Sequence, residues 1–212
     1  MSKEHKQHLG TLSVTGDGSV TARPDIASVR LGASSQAKTA GEATAHNAEV
    51  ATQIIAAIRA VGIDDAAIHT AALSLEPVYE WDEPGKKNVL VGYRASNSVV
   101  VRAPIDKAAE VFDAGVSAGA NEGTGVSFGL RDDGELRKKA LQLATSDALE
   151  RIQLVAQVLK VDLIGPLEVQ IFDSEAPQAT ELVRKVASAS TPIMPGELEV
   201  HERVRIVFQT RT

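Results

Sequence analysis

The feature that most constrains the fold is a strict alternation of apolar and polar residues near both ends of the chain. Near the start, small polar residues alternate with Leu12, Val14, Gly16, Gly18 and Val20. Near the end, the charged series Glu197, Glu199, His201, Arg203, Arg205 alternates with the apolar series Leu198, Val200, Val204, Ile206, Phe208. A period of two is typical of strands with one buried face. We therefore predict a half-buried strand at each end, the first with two glycines on its core face.

Three segments show helical spacing instead. The first follows Thr39-Ala40-Gly41-Glu42, which has the spacing of a capping box. A shorter segment follows Pro104 and stops at Gly119, because glycine tolerates the left-handed conformation that ends many helices. The longest begins near Asp132-Asp133-Gly134-Glu135, where Asp132 and Glu135 resemble a capping pair.

Alternating runs between the helices predict further strands. The runs 73–81 and 91–101 should form a long hairpin with a polar tip at 82–87, where Pro-Gly favours a type II turn. Arg23-Pro24-Asp25 is interpreted as the turn of a hairpin between the first two strands. The resulting element order predicts an α+β fold, with helices packed on a mostly antiparallel sheet and a long protruding hairpin.

The domain organisation follows from this order. The stretches 26–101 and 126–208 both have the order strand, helix, strand, strand, which fits either a duplicated unit or a coincidence. We predict a disordered N-terminus over 1–10 and an α+β domain over 11–212; a duplicated unit would divide it into sub-lobes at about 11–103 and 104–212. Between 174 and 196, proline-bearing sequence predicts a long surface loop with one helical turn at 182–186.

Composition excludes several classes of protein. With 212 residues and 43% hydrophobic content, the chain can bury a core without covalent cross-links. The absence of cysteine excludes disulfides, thiolate catalysis and cysteine-ligated metal. A net charge of −6 argues against binding to nucleic acid, which requires clustered Lys and Arg.

The same reading predicts no membrane span, because no apolar run approaches the roughly 20 residues needed to cross a bilayer. Residues 1–8 have no hydrophobic segment of the kind found in signal peptides. As written, the sequence predicts a cytoplasmic protein, or a periplasmic or otherwise exported one if a leader has been removed.

Five segments, in order along residues 11 to 209, carry a resemblance to a known family. They are Val14-Thr15-Gly16-Asp17-Gly18, Arg23-Pro24-Asp25-Ile26-Ala27, Tyr93-Arg94-Ala95-Ser96-Asn97-Ser98-Val99, Ala118-Gly119-Ala120-Asn121 with Gly125-Val126-Ser127-Phe128, and Pro192-Ile193-Met194-Pro195-Gly196-Glu197-Leu198-Glu199-Val200. Together they resemble the SIMPL domain family, also called DUF541, which includes bacterial periplasmic immunogenic proteins of the 26-kDa type.

The resemblance implies an α+β fold and homo-oligomeric assembly, in some members into ring-like or channel-like particles, with loose links to envelope or oxidative stress. It supplies no catalytic residues and no cofactor. Family members are commonly exported behind a signal peptide, a pattern from which the opening of this sequence departs.

One motif raises the question of hydrolysis. Gly115-Val116-Ser117-Ala118-Gly119 fits the G-x-S-x-G nucleophile pattern, and Asp173 and His201 follow in the order of α/β-hydrolases. That motif requires serine on a sharp turn from a strand into a helix, whereas Ser117 is predicted near the end of a helix. We therefore interpret this segment as a helix terminus, and a cryptic serine hydrolase as the weakest alternative.

Other candidates for chemistry have simpler explanations. Gly16-Asp17-Gly18 lacks the third glycine and the following helix of a phosphate-binding loop. The five histidines have no metal-binding spacing, and His201 is assigned to a solvated strand face. Asp64-Asp65 and Asp132-Asp133 are interpreted as acids at helix boundaries. We predict no catalytic residue, metal or cofactor.

The aromatic residues of the long hairpin are the candidate functional residues. Tyr79, Trp81 and Tyr93 gather there around the turn residues Pro84 and Gly85. Because Trp and Tyr are enriched at binding hot spots, these five residues are predicted to form an oligomer interface, with packing within the chain as the alternative.

The sequence thus favours a non-enzymatic protein that self-assembles, with any other protein partner unknown. The main alternative is a small-molecule or peptide binding module with an apolar pocket between the helices and the sheet.

Overall fold

The computed structural model describes residues 9–172, 178–180 and 195–211. The helices are α1 (Ala40–Ala60), α2 (Ala108–Ser117) and α3 (Gly134–Leu159), with 3-10 turns at Asp65–Ala67 and Ile105–Lys107. The strands are β1 (Leu9–Ala22), β2 (Ile26–Ala37), β3 (Ile68–Asp82), β4 (Lys87–Ala103), β5 (Glu122–Gly129), β6 (Asp162–Ile171), β7 (Gln178–Thr180) and β8 (Glu197–Arg211). Two antiparallel sheets carry the strands, which confirms the predicted α+β class. The predicted turn at 182–186 lies outside the described residues.

The described chain divides into two compact units. Unit 1 contains β1, α3, β6, β7 and β8, and unit 2 contains the continuous segment 24–129. The boundaries therefore lie at 23/24 and 129/130, whereas the sequence places a division near residue 103. The difference arises because β5 hydrogen-bonds to β2, which ties residues 122–129 to the sheet of unit 2.

The two units share one topology. Unit 2 runs β2, α1, β3, β4 with sheet order β3-β4-β2-β5, and unit 1 runs β1, α3, β6, β8 with sheet order β1-β8-β6. In both, the first strand pairs with the last, and the last pairs on its other side with the middle one. The duplicated order is therefore present, but the copy in unit 1 takes its first strand from β1 and not from β5.

The predicted hairpin between the first two strands is wrong. β1 pairs along its whole length with β8, from Leu9 opposite Arg211 to Ala22 opposite Leu198. β2 pairs with β4 and β5 in the other sheet, so Arg23-Pro24-Asp25 connects two units and makes no hairpin turn. Alternation identifies a strand but not its partner, and proximity in sequence misled the pairing here.

The second predicted hairpin, between β3 and β4, is confirmed from Ile68–Val101 to Asp82–Lys87. At its tip the Asp82 carboxylate accepts a hydrogen bond from the Gly85 backbone N–H at 3.1 Å. The left-handed residue is Lys86, with φ 47°, and not Gly85, so the turn differs from the expected type II turn.

The core of unit 2 lies between α1, α2 and one face of the sheet. The predicted capping box starts α1: Glu42 N–H donates to Thr39 Oγ1 at 3.3 Å, and Thr39 N–H donates to the Glu42 carboxylate at 3.2 Å. Buried Asn47 donates to the carbonyls of Ala33 and Ala95, which ties α1 to β2 and β4. The aliphatic core is formed by Ala27, Val29, Leu31, Ile54, Ile58, Val99, Val101 and Val111.

In unit 1, α3 packs on β1 and β8 through a row of small residues. Ala140, Ala144 and Ala148 are fully buried. A Cβ at Gly16 would overlap the Ala144 carbonyl oxygen and the Ala148 nitrogen, and one at Gly18 would overlap the Ala140 carbonyl oxygen. The two glycines predicted on the core face of β1 therefore allow direct contact between helix and strand backbones.

The start of α3 differs from the predicted capping pair. The Asp132 carboxylate accepts from the Gly134 N–H at 2.9 Å, but Glu135 pairs with Lys138 at 2.6 Å. Asp133 is the N-cap residue and makes no side-chain cap; its carboxylate accepts from Arg137 Nε at 2.8 Å.

Candidate functional site

The arrangement around Ser117 is not that of a hydrolase nucleophile. Ser117 is the last residue of α2, and this helix follows a 3-10 turn. Gly119, with φ +106°, then ends the helix in the way the sequence predicts. A nucleophile elbow needs a strand directly before the serine, whereas the residues directly before Ser117 belong to α2. Asp173 lies outside the described residues.

His201 belongs instead to a polar cluster on the face of unit 1 away from α3. The Asp17 carboxylate accepts from Arg203 Nε at 2.6 Å and lies 3.4 Å from His201 Nε2. On the same face Arg205 Nε donates to Ser13 Oγ at 2.9 Å. Gly16-Asp17-Gly18 lies in the middle of a paired strand. This position agrees with the interpretation that the segment is not a phosphate-binding loop.

This cluster makes stability depend on pH. The hydrogen bond from Arg203 is the main cause that lowers the pKa of Asp17 below its ordinary value of 3.8, with a smaller contribution from His201. A carboxyl group with a lower pKa in the folded state stabilises the fold above its unfolded-state pKa, and this contribution is lost as the pH falls through the folded-state value.

We expect the difference in unfolding free energy between the wild type and Asp17→Asn to shrink as the pH falls from about 6 to below 3.8. Urea titrations of both proteins at several pH values measure this difference. A difference in unfolding free energy that stays constant with pH would contradict the prediction.

The free edge of β1 is closed by α3. Asp147 Oδ2 accepts from the Asp17 N–H at 3.0 Å, and Arg151 donates to the Thr15 carbonyl at 3.1 Å. The two side chains also pair with each other at 2.9 Å. Because backbone groups at a sheet edge are open to another strand, this pair makes β1 a poor edge for strand addition.

The β3–β4 ribbon extends beyond the rest of its sheet. β2 stops pairing with β4 at Ala37, opposite Tyr93. Beyond that pair, residues 78–92 form an arm of two strands with no third strand beside them in the described structure. An isolated ribbon of two strands is marginally stable in water, so an arm of this length is expected to gain stability when it packs against a partner.

One face of this ribbon carries a row of exposed apolar side chains, the apolar stripe. The exposed fractions are 71% for Leu73, 48% for Leu75, 57% for Tyr79, 56% for Trp81 and 44% for Leu90. Alternate residues of a strand share a face, and Leu90 lies opposite Tyr79, so these five residues point to the same side. Glu76, Glu80 and Asp82 alternate with them on the other side.

The predicted interface residues are only partly gathered in this stripe. Tyr79 and Trp81 are its centre, and Pro84 and Gly85 are exposed at the tip of the arm. Tyr93 is half-buried at the base, opposite Pro77. Leu73, Leu75 and Leu90 were missed as interface candidates, although the alternation from 73 to 81 already placed the two leucines on the same face as the aromatic residues.

Unit 1 has an exposed apolar strand of its own. β6 pairs with β8 on one side and, within the described residues, with no strand on the other. Four of its aliphatic side chains are more than half exposed: Ile164, Leu167, Val169 and Ile171. The described protein therefore presents two apolar strands at sheet edges, β3 and β6.

The pocket predicted between helices and sheet stays a prediction; in unit 2 the described residues in that space form the aliphatic core given above. Among the described residues no group of three or more His, Asp or Glu side chains is placed to hold a metal ion. None of the helices in the described part of the chain is both long and apolar enough to cross a bilayer.

Comparison with known proteins identifies relatives across almost the whole chain. A 26 kDa periplasmic immunogenic protein of Brucella melitensis is 28% identical over 212 residues, covering 94% of this chain and 84% of its own. The uncharacterized protein YggE of Escherichia coli K12 is 28% identical over 202 residues, with 92% and 81% covered, and that of Edwardsiella ictaluri is 29% identical over 198 residues, with 93% and 82% covered. The family model for SIMPL, described as a protein of unknown function (DUF541), matches residues 12–208, and the chain therefore belongs to the SIMPL family.

Proposed function

We propose that this protein acts by assembling with copies of itself, and that the apolar stripe of the β3–β4 ribbon is a subunit contact. The observation that carries the proposal is the arm of residues 78–92, a two-stranded ribbon that exposes Tyr79 and Trp81 by more than half. Contiguous exposed apolar surface of this kind marks interaction sites in soluble proteins.

The second apolar strand supplies a complementary surface on another copy. β3 and β6 both lie at sheet edges, and both carry exposed aliphatic side chains. A contact between β3 of one copy and β6 of the next joins two different surfaces, and a contact of this type generates closed rings when its rotation closes. The β1 edge is excluded from this role, because Asp147 and Arg151 occupy it.

Removal of the two aromatic side chains tests the stripe. We expect Tyr79→Ser combined with Trp81→Ser to lower the mass of the wild-type oligomer to that of a smaller species or the 22.4 kDa monomer. The reason is that large aromatic anchors supply most of the binding energy at interfaces, about 2 kcal/mol or more each. Size exclusion with light scattering over a range of protein concentrations measures the effect.

Glu80→Ala is the matched control, because Glu80 lies between the two aromatic residues but on the opposite face of the ribbon. It should leave the mass unchanged. A wild type that is monomeric at all concentrations, or a double variant with the wild-type mass, would overturn the assignment of the stripe.

The compartment is a separate proposal. Two of the relatives are named periplasmic proteins, and we infer on that basis that this protein also works in the bacterial envelope. Fractionation of cells that express the full-length gene tests this, and recovery in the cytoplasmic fraction alone would contradict it.

A further inference from the structure

A polar groove lies on the face of the unit 2 sheet that is turned away from α1 and α2. Its volume is about 310 Å³, within the range of small-ligand sites. The core residues Val29, Leu31 and Val99 alternate with residues that line the groove, so the two sets face opposite sides of the same strands. The groove is therefore separate from the core and from the apolar stripe.

The floor of the groove consists of side chains with little bulk, and charged side chains stand around it. The floor is formed by Gly32, Ala72, Ser74, Ser96 and Ser98. Glu76 lies directly opposite Arg94 in the β3–β4 register, and Glu122 lies opposite Gly32, two residues along β2 from Arg30. Each end of the groove thus has one arginine and one glutamate.

These four charges are not used within the described part of the protein. Neither Arg30 nor Arg94 forms an ion pair there, and neither do Glu76 and Glu122. Exposed arginine guanidinium groups remain free to bind a carboxylate with two parallel hydrogen bonds, and the glutamates remain free to accept from an ammonium group.

The balance of charge selects the ligand. Two arginines and two glutamates give the rim no net charge, so a simple anion or cation would be repelled by one partner of each pair while attracted by the other. A molecule with a carboxylate at one end and an ammonium group at the other can pair with an arginine at one end of the groove and with a glutamate at the other end. The serine hydroxyls of the floor can donate to and accept from amide groups between those ends.

The length of the groove favours a short peptide. Arg94 pairs with Gln36 at one end, and Arg30 lies six residues further along β2, a backbone separation of about 20 Å. The long side chains of both arginines also line the groove and shorten the gap to be spanned. An extended tetrapeptide is about 13–14 Å long. We propose that this groove binds a short zwitterionic peptide in an extended conformation.

Tetraglycine is a suitable probe, because its only charges are the terminal ammonium and carboxylate. We expect saturable binding in equilibrium dialysis with the full chain, with a dissociation constant on the order of 1 mM. Acetylation or amidation removes one charge, and each should weaken binding about tenfold, while the peptide with both ends blocked should not bind. Equal binding of the blocked peptide, or no binding of tetraglycine up to about ten times that concentration, would overturn the proposal.

Variants locate the site on the protein. Arg94→Gln and Glu122→Gln should each weaken tetraglycine binding about tenfold. Arg102→Gln is the matched control, because Arg102 is an exposed arginine on the same face of β4 that does not line the groove, and it should bind as the wild type does. The Tyr79→Ser, Trp81→Ser variant should also retain binding, since the stripe faces the other side of the sheet. If Arg102→Gln weakens tetraglycine binding as much as the groove variants do, the peptide does not bind in the groove.

Discussion

Replacement of Gly16 by alanine is expected to lower the free energy of unfolding by about 3 kcal/mol or more. The added methyl group would overlap backbone atoms of Ala144 and Ala148 in α3, and no rotamer change can move a backbone. The helix must therefore shift away from β1, which opens the packing around Ile152, Val204 and Ile206. Overpacking a close-packed core typically costs about 1–3 kcal/mol and occasionally more. The cost at Gly16 is expected at the upper end of that range or above it, because the obstacle is backbone.

Gly165→Ala provides the control in the same sheet, because a Cβ at Gly165 would meet no atom of the described residues within 4 Å. It should unfold at nearly the wild-type urea concentration, or slightly above it, since alanine reduces the freedom of the unfolded chain. Equal stability of the two variants in urea titrations would show that α3 does not lie against β1 as closely as the structure places it.

The sequence predicts the elements of this fold better than their partners. Alternation and helical spacing are local signals, and they identify β1, β8 and the three helices. The pairing of β1 with β8 joins residues about 190 positions apart, and no local signal reports it. Turn chemistry at Pro24 favoured a hairpin, but the backbone N–H of Asp25 donates to the Gly129 carbonyl and starts β2 beside β5.

Asn121 shows what a local reading cannot supply. Its carboxamide accepts from the Ser34 N–H at 2.8 Å and donates to the Ser34 carbonyl at 3.1 Å, so a side chain extends the pairing of β2 beyond the point where β5 begins. Asn121 lies in one of the segments that carry the family resemblance, yet its role depends on a strand 87 positions away. A resemblance identifies such a residue without explaining it.

For the candidate sites, too, local signals identify single residues but not the contacts between distant strands. Tyr79 and Trp81 were identifiable because the chain has only one Trp and two Tyr, and all three lie on one hairpin. Leu90 joins them only through the β3–β4 register, which contains an irregularity between Val78 and Tyr79 that changes the pairing. The groove was not predicted at all, since Arg30, Arg94 and Glu122 come together from three strands.

Glu202 is the residue that alternation should have revealed. It belongs to the buried row of β8 with Val200 and Val204, and it is only 5% exposed. Arg137 of α3 donates to its carboxylate at 3.2 Å and to Asp133 at 2.8 Å. A carboxylate in an apolar row is stable only when it is paired, so this contact fixes the first turn of α3 against the sheet.

Arg137→Met is therefore expected to lower the free energy of unfolding by about 3 kcal/mol, because it leaves the Glu202 carboxylate buried without its cation. Glu202→Leu should cost much less, since Arg137 retains Asp133 and is partly exposed. The double variant should recover most of the loss, because an apolar pair replaces a buried ionic one at little cost. Urea titrations of the four proteins form a double-mutant cycle. If the two single losses simply add in the double variant, the unpaired buried charge of Glu202 is not what destabilises Arg137→Met. That result would contradict the proposed role of this ion pair in fixing α3 against the sheet.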